Sequence, residues 1–219
     1  MLPKVIIHNS VSLNGSITGF EPNMGLHYRI AGNYKPDVHL VGSNTVKIGV
    51  ELYGGGVPEE EEKDFEKPER DRTLPYWVIP DTTGSLKGLL HTCRRFEFCK
   101  DVIVLISEST PEAYVEYLTE RSYQYYVGGK THIDLKKSLE FLSSRFKARV
   151  ILTDTGRILN SLLLEQGLAS EISLLIHPVV VGSTAYIAFC TVNINLGFKL
   201  IKKKSLDEDC VWLVYKVGY

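Results

Sequence analysis

The chain has 219 residues, 44% of them hydrophobic and 23% charged, with a formal net charge of −1. This length suits one core, and the near-neutral balance lacks the basic surplus of a nucleic-acid binder. Four cysteines without a CxxC pair argue against a disulfide framework and for a reducing compartment. No stretch nears the roughly 18 apolar residues of a membrane span, and the run after Met1 lacks the three-part pattern of a signal peptide, so no membrane partner and a cytoplasmic location are expected.

In chain order, short Val-, Ile- and Tyr-rich runs read as strands at 4–11, 38–42, 76–80, 102–106, 123–127 and 149–153. Helical spacing appears at 111–121 (Tyr114, Val115, Leu118), at 134–146 (Leu135, Leu139, Leu142, Phe146, with Asp134 as N-cap) and at 157–166, with Gly167 in the C′ position. Strand-helix alternation of this kind predicts parallel pairing with crossover helices. The last third differs: 171–182 reads as one long strand, and 198–206 and 210–217 flank Asp207-Glu208-Asp209 as a hairpin. The predicted fold is a three-layer α/β/α sandwich with a mixed, mostly parallel sheet and an antiparallel C-terminal hairpin. Residues 54–72, GGGVPEEEEKDFEKPERDR, form a charged insertion: a solvated loop, or a flap hinged at Gly54-Gly55-Gly56. No linker divides the chain, so 1–219 is expected to be a single domain.

Several familiar signals are missing. Gly129-Lys130-Thr131 resembles the tail of a phosphate loop, but Gln124 stands where its first glycine belongs. No GxGxxG follows a strand, no GxSxG is present, and the six histidines show no zinc spacing, so no metal is expected.

Three polar turns remain. In TDTGR (153–157) a strand runs through one carboxylate and one glycine into a helix, whose first N–H groups and positive dipole end suit an anion. The same turn also reads as an ordinary connection with Asp154 as N-cap. In NSVSLNGSITG (9–19) and LVGSNTV (40–46), strands end in small polar residues at the edge where open α/β sheets bind ligands; an Asn-Gly turn and a capped helix start are the plainer readings.

Together the three turns resemble the reductase domain of riboflavin biosynthesis, the C-terminal domain of RibD, in the dihydrofolate reductase-like superfamily. Ser12-Leu13-Asn14-Gly15 stands for its SLDG turn, Asp37–Thr45 for its D-x-x-L-V-G-x-x-T segment, Thr153–Gly156 for its strand and acidic glycine turn, and GLASEISLLIHPVVVG (167–182) for its late strand. The resemblance implies a homodimeric NADPH-dependent oxidoreductase, similar to 5-amino-6-(5-phosphoribosylamino)uracil reductase, which reduces the ribose of a ribosylaminopyrimidine phosphate to ribityl. It further implies that Gly42, Ser43, Thr45, Ser107, Thr155, Gly156 and Arg157 contact the cofactor. Val11 and Ile17 would border the nicotinamide. Asn9, Ser12, Asn14 and Asp154 would face the small-molecule substrate, with Asp154 as the catalytic polar contact.

Three departures touch the substrate side. Asn14 replaces the aspartate of SLDG, Lys47–Glu51 replaces the D-D-P segment, and Asp154 is one methylene shorter than the family glutamate. Reduction of another small heterocycle such as a pterin, and a non-catalytic nucleotide-binding dimer module, therefore stay open. The apolar residues on both faces of 210–217 fit either a dimer interface or cover by the chain's own helices.

Overall fold

A computed structural model describes residues 1–53, 56–182, 186–189 and 192–219, with 51–53 as backbone only. The elements are β1 (Lys4–Ser12), α1 (Met24–Asn33), β2 (Val38–Leu40), α2 (Ser43–Tyr53), a 3-10 turn (Glu62–Phe65), β3 (Tyr76–Pro80), α3 (Leu90–Arg95), β4 (Val102–Ile106), α4 (Glu112–Glu120), β5 (Gln124–Val127), α5 (Leu135–Phe146), β6 (Val150–Thr153), α6 (Arg157–Glu165), β7 (Glu171–His177), β8 (Gly197–Ser205) and β9 (Val211–Gly218). They fall into two compact units: Met1–Pro3 with Asp37–Arg149, and Lys4–Pro36 with Val150–Tyr219.

In the first unit the strands run parallel in the order β5-β4-β3-β2. Alternation along each strand divides two apolar faces. Trp77, Ile79, Val102, Val104 and Ile106 pack with Val46 and Val50 of α2, Leu90 and Cys93 of α3, and Tyr114, Tyr117 and Leu118 of α4. The opposite face meets α5, where Phe141 stacks on Tyr126 at 4.1 Å and Phe146 meets Tyr76 edge-on. The Asp134 side chain caps α5 by accepting from Lys137 N–H, and Lys147 closes it in the left-handed region.

Over its described part the charged insertion is mostly exposed, as a solvated loop would be, and a few side chains tie it to the unit beneath. Arg95 Nε donates to Asp64 at 2.9 Å, Arg121 pairs with Glu60 at 2.8 Å, and His91 Nε2 lies 2.7 Å from the Pro58 carbonyl. Asp64 is buried, and its carboxyl group is held below the usual carboxylate range by Arg95 and the Glu61 N–H, against the opposing effect of burial. Gly54 and Gly55 of the expected hinge lie outside the described residues, as does Cys190. Arg94 is the hub beneath: it donates to Asp101 at 2.9 Å and to the carbonyls of Asp64, Glu66, Arg121 and Ser122, and its guanidinium lies 3.7 Å from the Tyr123 ring centroid.

In the second unit the order is β6-β1-β7-β9-β8. β1 runs parallel to β6 and β7, β7 and β9 are antiparallel, and so are β9 and β8. Parallel pairing thus dominates, and the antiparallel pairs belong to the C-terminal hairpin and its junction with β7. The hairpin turns through Glu208 and Asp209, both at positive φ. The long strand expected over 171–182 stops at His177, because Pro178 has no N–H to offer a neighbour. Leu26 and Ile30 of α1 pack on Leu175, Trp212 and Val214, and Ala31 packs on Ile6 and Leu152. The other face carries α6. Helices therefore cover both faces in each unit. α1 and α3, which short-range pattern does not reveal, supply part of that cover, and so does α2, which begins at Ser43 where a capped helix start was one reading.

The carboxyl half of β1 breaks the apolar run expected of a strand paired on both sides: His8, Asn9, Ser10 and Ser12 follow Val5-Ile6-Ile7. The polar groups have partners. His8 Nε2 reaches the His27 carbonyl at 3.2 Å, Ser173 Oγ lies 3.0 Å from His8 Nδ1, and Trp212 Nε1 donates to that same Oγ at 2.9 Å. Burial, with the neighbouring His27, lowers the His8 pKa from 6.5 to about 4.

Two predictions follow from this packing. Arg94→Ala strands the Asp101 carboxylate, so urea unfolding is expected to show a loss of about 3–5 kcal/mol. His8 is harder to protonate in the native state than in the unfolded chain. Its stabilisation is therefore complete above pH 6.5 and lost as pH falls toward 4, by about 3 kcal/mol. In His8→Gln, the difference between unfolding free energies measured at pH 7 and at pH 4.5 should shrink accordingly.

Candidate active site

Within the second unit, β1 and β6 are parallel, so their carboxyl ends share one edge. There Asn9 and Asp154-Thr155-Gly156 meet. Asn9 Nδ2 donates to the Thr155 carbonyl at 3.1 Å, Asn160 Nδ2 donates to the same oxygen at 3.1 Å, and it also reaches Asn9 Oδ1 at 2.8 Å. Asn9 is 5% and Asn160 0% exposed, so these bonds form away from water. They fix the turn that leads into α6. Asn160 was missed in the sequence, where it reads only as a polar residue in a helix.

The N-cap of α6 is Gly156, with φ −76° and ψ 177° and no side-chain cap. Asp154 is thus not the N-cap that one reading of the sequence allowed. A glycine N-cap brings no side-chain acceptor of its own to the first turn of the helix, which stands at the positive end of the dipole. Among the described residues, a Cβ built on Gly156 meets nothing within 4 Å, so these leave an anion room to approach the backbone. These features fit a phosphate of a dinucleotide. Beside them the Arg157 guanidinium lies 4.6 Å from the ring centroid of the exposed Tyr186.

Asp154 lies against α1, an element absent from the sequence reading. Its Oδ2 is 3.5 Å from His27 Nε2, with the two side chains 12% and 6% exposed. At the end of β7, burial lowers the pKa of His177, whose Nε2 accepts from the Asn23 N–H at 3.0 Å.

Ser12 and Asn14 hold the backbone together. The Ser12 hydroxyl donates to Asn14 Oδ1 at 2.8 Å and accepts from Ser16 N–H at 2.9 Å. Asn14 Nδ2 donates to the Val181 carbonyl at 2.8 Å, and its Oδ1 accepts from Val181 N–H at 3.1 Å. An aspartate could accept here but could not donate to Val181, which gives Asn14 a physical reason in this chain. Gly15 takes the left-handed φ of 80° that the turn requires. Ile17 N–H then bonds the Tyr186 carbonyl at 2.8 Å, and Val11 is buried.

The first unit presents its own edge of strand ends. Gly42 precedes α2, which begins at Ser43 and carries Thr45 in its first turn; Val46 N–H reaches the Gly42 carbonyl at 3.0 Å. At the end of β4, Ser107 is buried, with Oγ 3.0 Å from Ser109 Oγ. Gly129-Lys130 closes the neighbouring strand end: Glu108 and Ser109 N–H groups bond the Gly129 and Lys130 carbonyls, which gives the stretch a connecting role. Among the described residues no cluster of His, Cys, Asp and Glu is placed to hold a metal ion, and no helix is long and apolar enough to cross a membrane.

Comparison with known proteins places these features in a family. The family model described as RibD C-terminal domain matches residues 3–212. Among solved structures, a RibD from Acinetobacter baumannii superposes with a TM-score of 0.71 at 18% identity, over 99% of this chain and 58% of that one. A pyrimidine reductase-like protein from Corynebacterium diphtheriae gives 0.70 at 16% identity, over 99% and 92%. A riboflavin biosynthesis reductase from Saccharomyces cerevisiae gives 0.67 at 17% identity, over 99% and 90%. These likenesses show a shared α/β fold, and the chain spans under two thirds of the length of the Acinetobacter protein. Comparison with curated protein sequences gives no match. From the family match across both units, the chain belongs to the RibD C-terminal domain family.

Proposed function

We propose that this chain is an NADPH-dependent reductase of riboflavin biosynthesis that reduces the ribose of a ribosylaminopyrimidine phosphate to ribityl, with residues 1–219 acting as one reductase domain. The observation that carries this reading is the glycine N-cap of α6, with no described atom near its Cβ position and its turn fixed by two buried amides, in a chain whose family model covers residues 3–212.

Bound NADPH would supply the hydride. Thr155, Gly156 and Arg157 would hold cofactor phosphate through N–H groups and positive charge. Gly42, Ser43, Thr45 and Ser107 are the contacts proposed on the first unit. Val11 and Ile17 would border the nicotinamide. Asp154 faces the substrate in this reading and gives the polar contact where a proton is needed as hydride arrives, while Asn9, expected there too, would act through the Thr155 carbonyl it holds. Ser12 and Asn14 would act through the turn they lace together. Their engagement with the backbone favours a second reading, in which the same cofactor reduces another small heterocycle such as a pterin.

Calorimetry with NADPH and with NADH, followed by the loss of NADPH absorbance on adding each candidate substrate, tests the proposal. NADPH is expected to bind, and the ribosylaminopyrimidine phosphate to be reduced. Gly156→Asp places a carboxylate at the anion position and should weaken NADPH binding about tenfold or more, or about 1.4 kcal/mol. Failure of both cofactors to bind at millimolar concentration would leave a non-catalytic module.

A homodimer is part of the same proposal. All nine residues of β8 are exposed, with Phe198, Leu200 and Ile201 set among lysines. A long exposed edge strand with apolar side chains is a surface that proteins usually cover. Light scattering should report twice the chain mass for the wild type and the single-chain mass for Leu200→Glu.

A further inference from the structure

The surroundings of Asp154 single out a partner that the family match does not name. His27 Nε2 lies 3.5 Å from Asp154 Oδ2, and on the other side of the ring Nδ1 lies 3.0 Å from Ser10 Oγ. One proton arrangement suits both contacts: Nε2–H faces the carboxylate, and the Ser10 hydroxyl donates to Nδ1. The ring is also clamped. His8 stacks on it at 4.4 Å between centroids, Tyr28 meets it edge-on at 5.1 Å, and His8 Nε2 bonds the carbonyl of His27 itself. The helix beneath is anchored by Asn23, whose side chain accepts from Leu26 N–H and whose carbonyl accepts from His27 N–H.

A buried imidazole between a carboxylate and a hydroxyl serves polar orientation; packing alone would be met by an apolar ring at lower desolvation cost. We propose that His27 is a positioning residue for Asp154, setting the rotation of its carboxyl group through Oδ2. This assignment rests on the reading of Asp154 as the polar contact at the reacting group. The titratable groups that face His27 are Asp154, His8 of β1, its neighbour Tyr28 on α1, and His177 of β7.

Two measurements test it. The first needs no substrate: the His27 ring nitrogen signals are compared by NMR at one fixed pH in the wild type and in Asp154→Asn. Loss of the carboxylate should shift the Nε2 signal more than the Nδ1 signal, and an unmoved Nε2 signal would overturn the pairing. The second follows reduction of the ribosylaminopyrimidine phosphate by NADPH. His27→Ala should lower kcat about tenfold or more, with the KM for NADPH within about twofold. His27→Gln, whose amide N–H can reach the same oxygen, should recover most of the loss. Adding His27→Ala to Asp154→Asn should cost little more than Asp154→Asn alone. If Asp154→Asn keeps full activity, the role of Asp154 falls and the assignment of His27 falls with it. If Asp154→Asn is impaired but His27→Ala keeps full kcat, or the two losses multiply, the assignment of His27 alone is wrong.

Discussion

Two amide side chains, from Asn9 on β1 and Asn160 on α6, converge on the carbonyl oxygen of Thr155. The rest of the second unit's site depends on this convergence. A carbonyl at a strand-to-helix turn must find a donor once it is taken from water, and an unmet one costs about 1–3 kcal/mol. With that oxygen satisfied by side chains from two other elements, the turn is fixed on both sides. Gly156 then stands at the head of α6 as a glycine N-cap. The shape of this turn is thus a consequence of buried hydrogen bonding from residues on either side of it.

The same logic governs the polar half of β1. Its His8 and Ser10 lie on the face toward α1, and Asn9 lies on the face toward α6. Each polar group is paired: His8 through Ser173 to Trp212, Ser10 to His27, and Asn9 to Thr155 and Asn160. Buried polar groups are tolerated only when their networks are complete. In β1 the network runs through the strand end that carries the candidate chemistry. The first unit shows the structural counterpart. Arg94 donates to Asp101 Oδ1 and to four carbonyls at once, and so ties the charged insertion to the sheet.

Much of the fold was legible because hydrophobic periodicity is local. The strands at Tyr76–Pro80 and Val102–Ile106, the helix capped by Asp134 and the hairpin turn before Cys210 all follow from short-range pattern. α1 and α3 were not legible. Met24–Asn33 carries two glycines and polar residues between its apolar positions, and its stability comes from packing Leu26 and Ile30 under the hairpin. α3 is short and takes its order from the buried Arg94 and Cys93. That the insertion at 54–72 is largely solvated was legible from its charges, but its ties were not, because Arg95 and Arg121 lie far along the chain.

The candidate site divides along the same line. By itself the sequence determined which turns are polar, where a glycine precedes a helix, and which family pattern those turns compose; each is a property of neighbouring residues. Only the tertiary structure decided what each side chain does. It gave Asn14 to the Val181 backbone, withdrew Asp154 from the helix cap and set it against His27, and brought Asn160 to Asn9. The physical reason is that a hydrogen bond is made by distance and direction in space. The partners of Asn9, Asn14 and Asp154 arrive from elements that pattern along the chain cannot place.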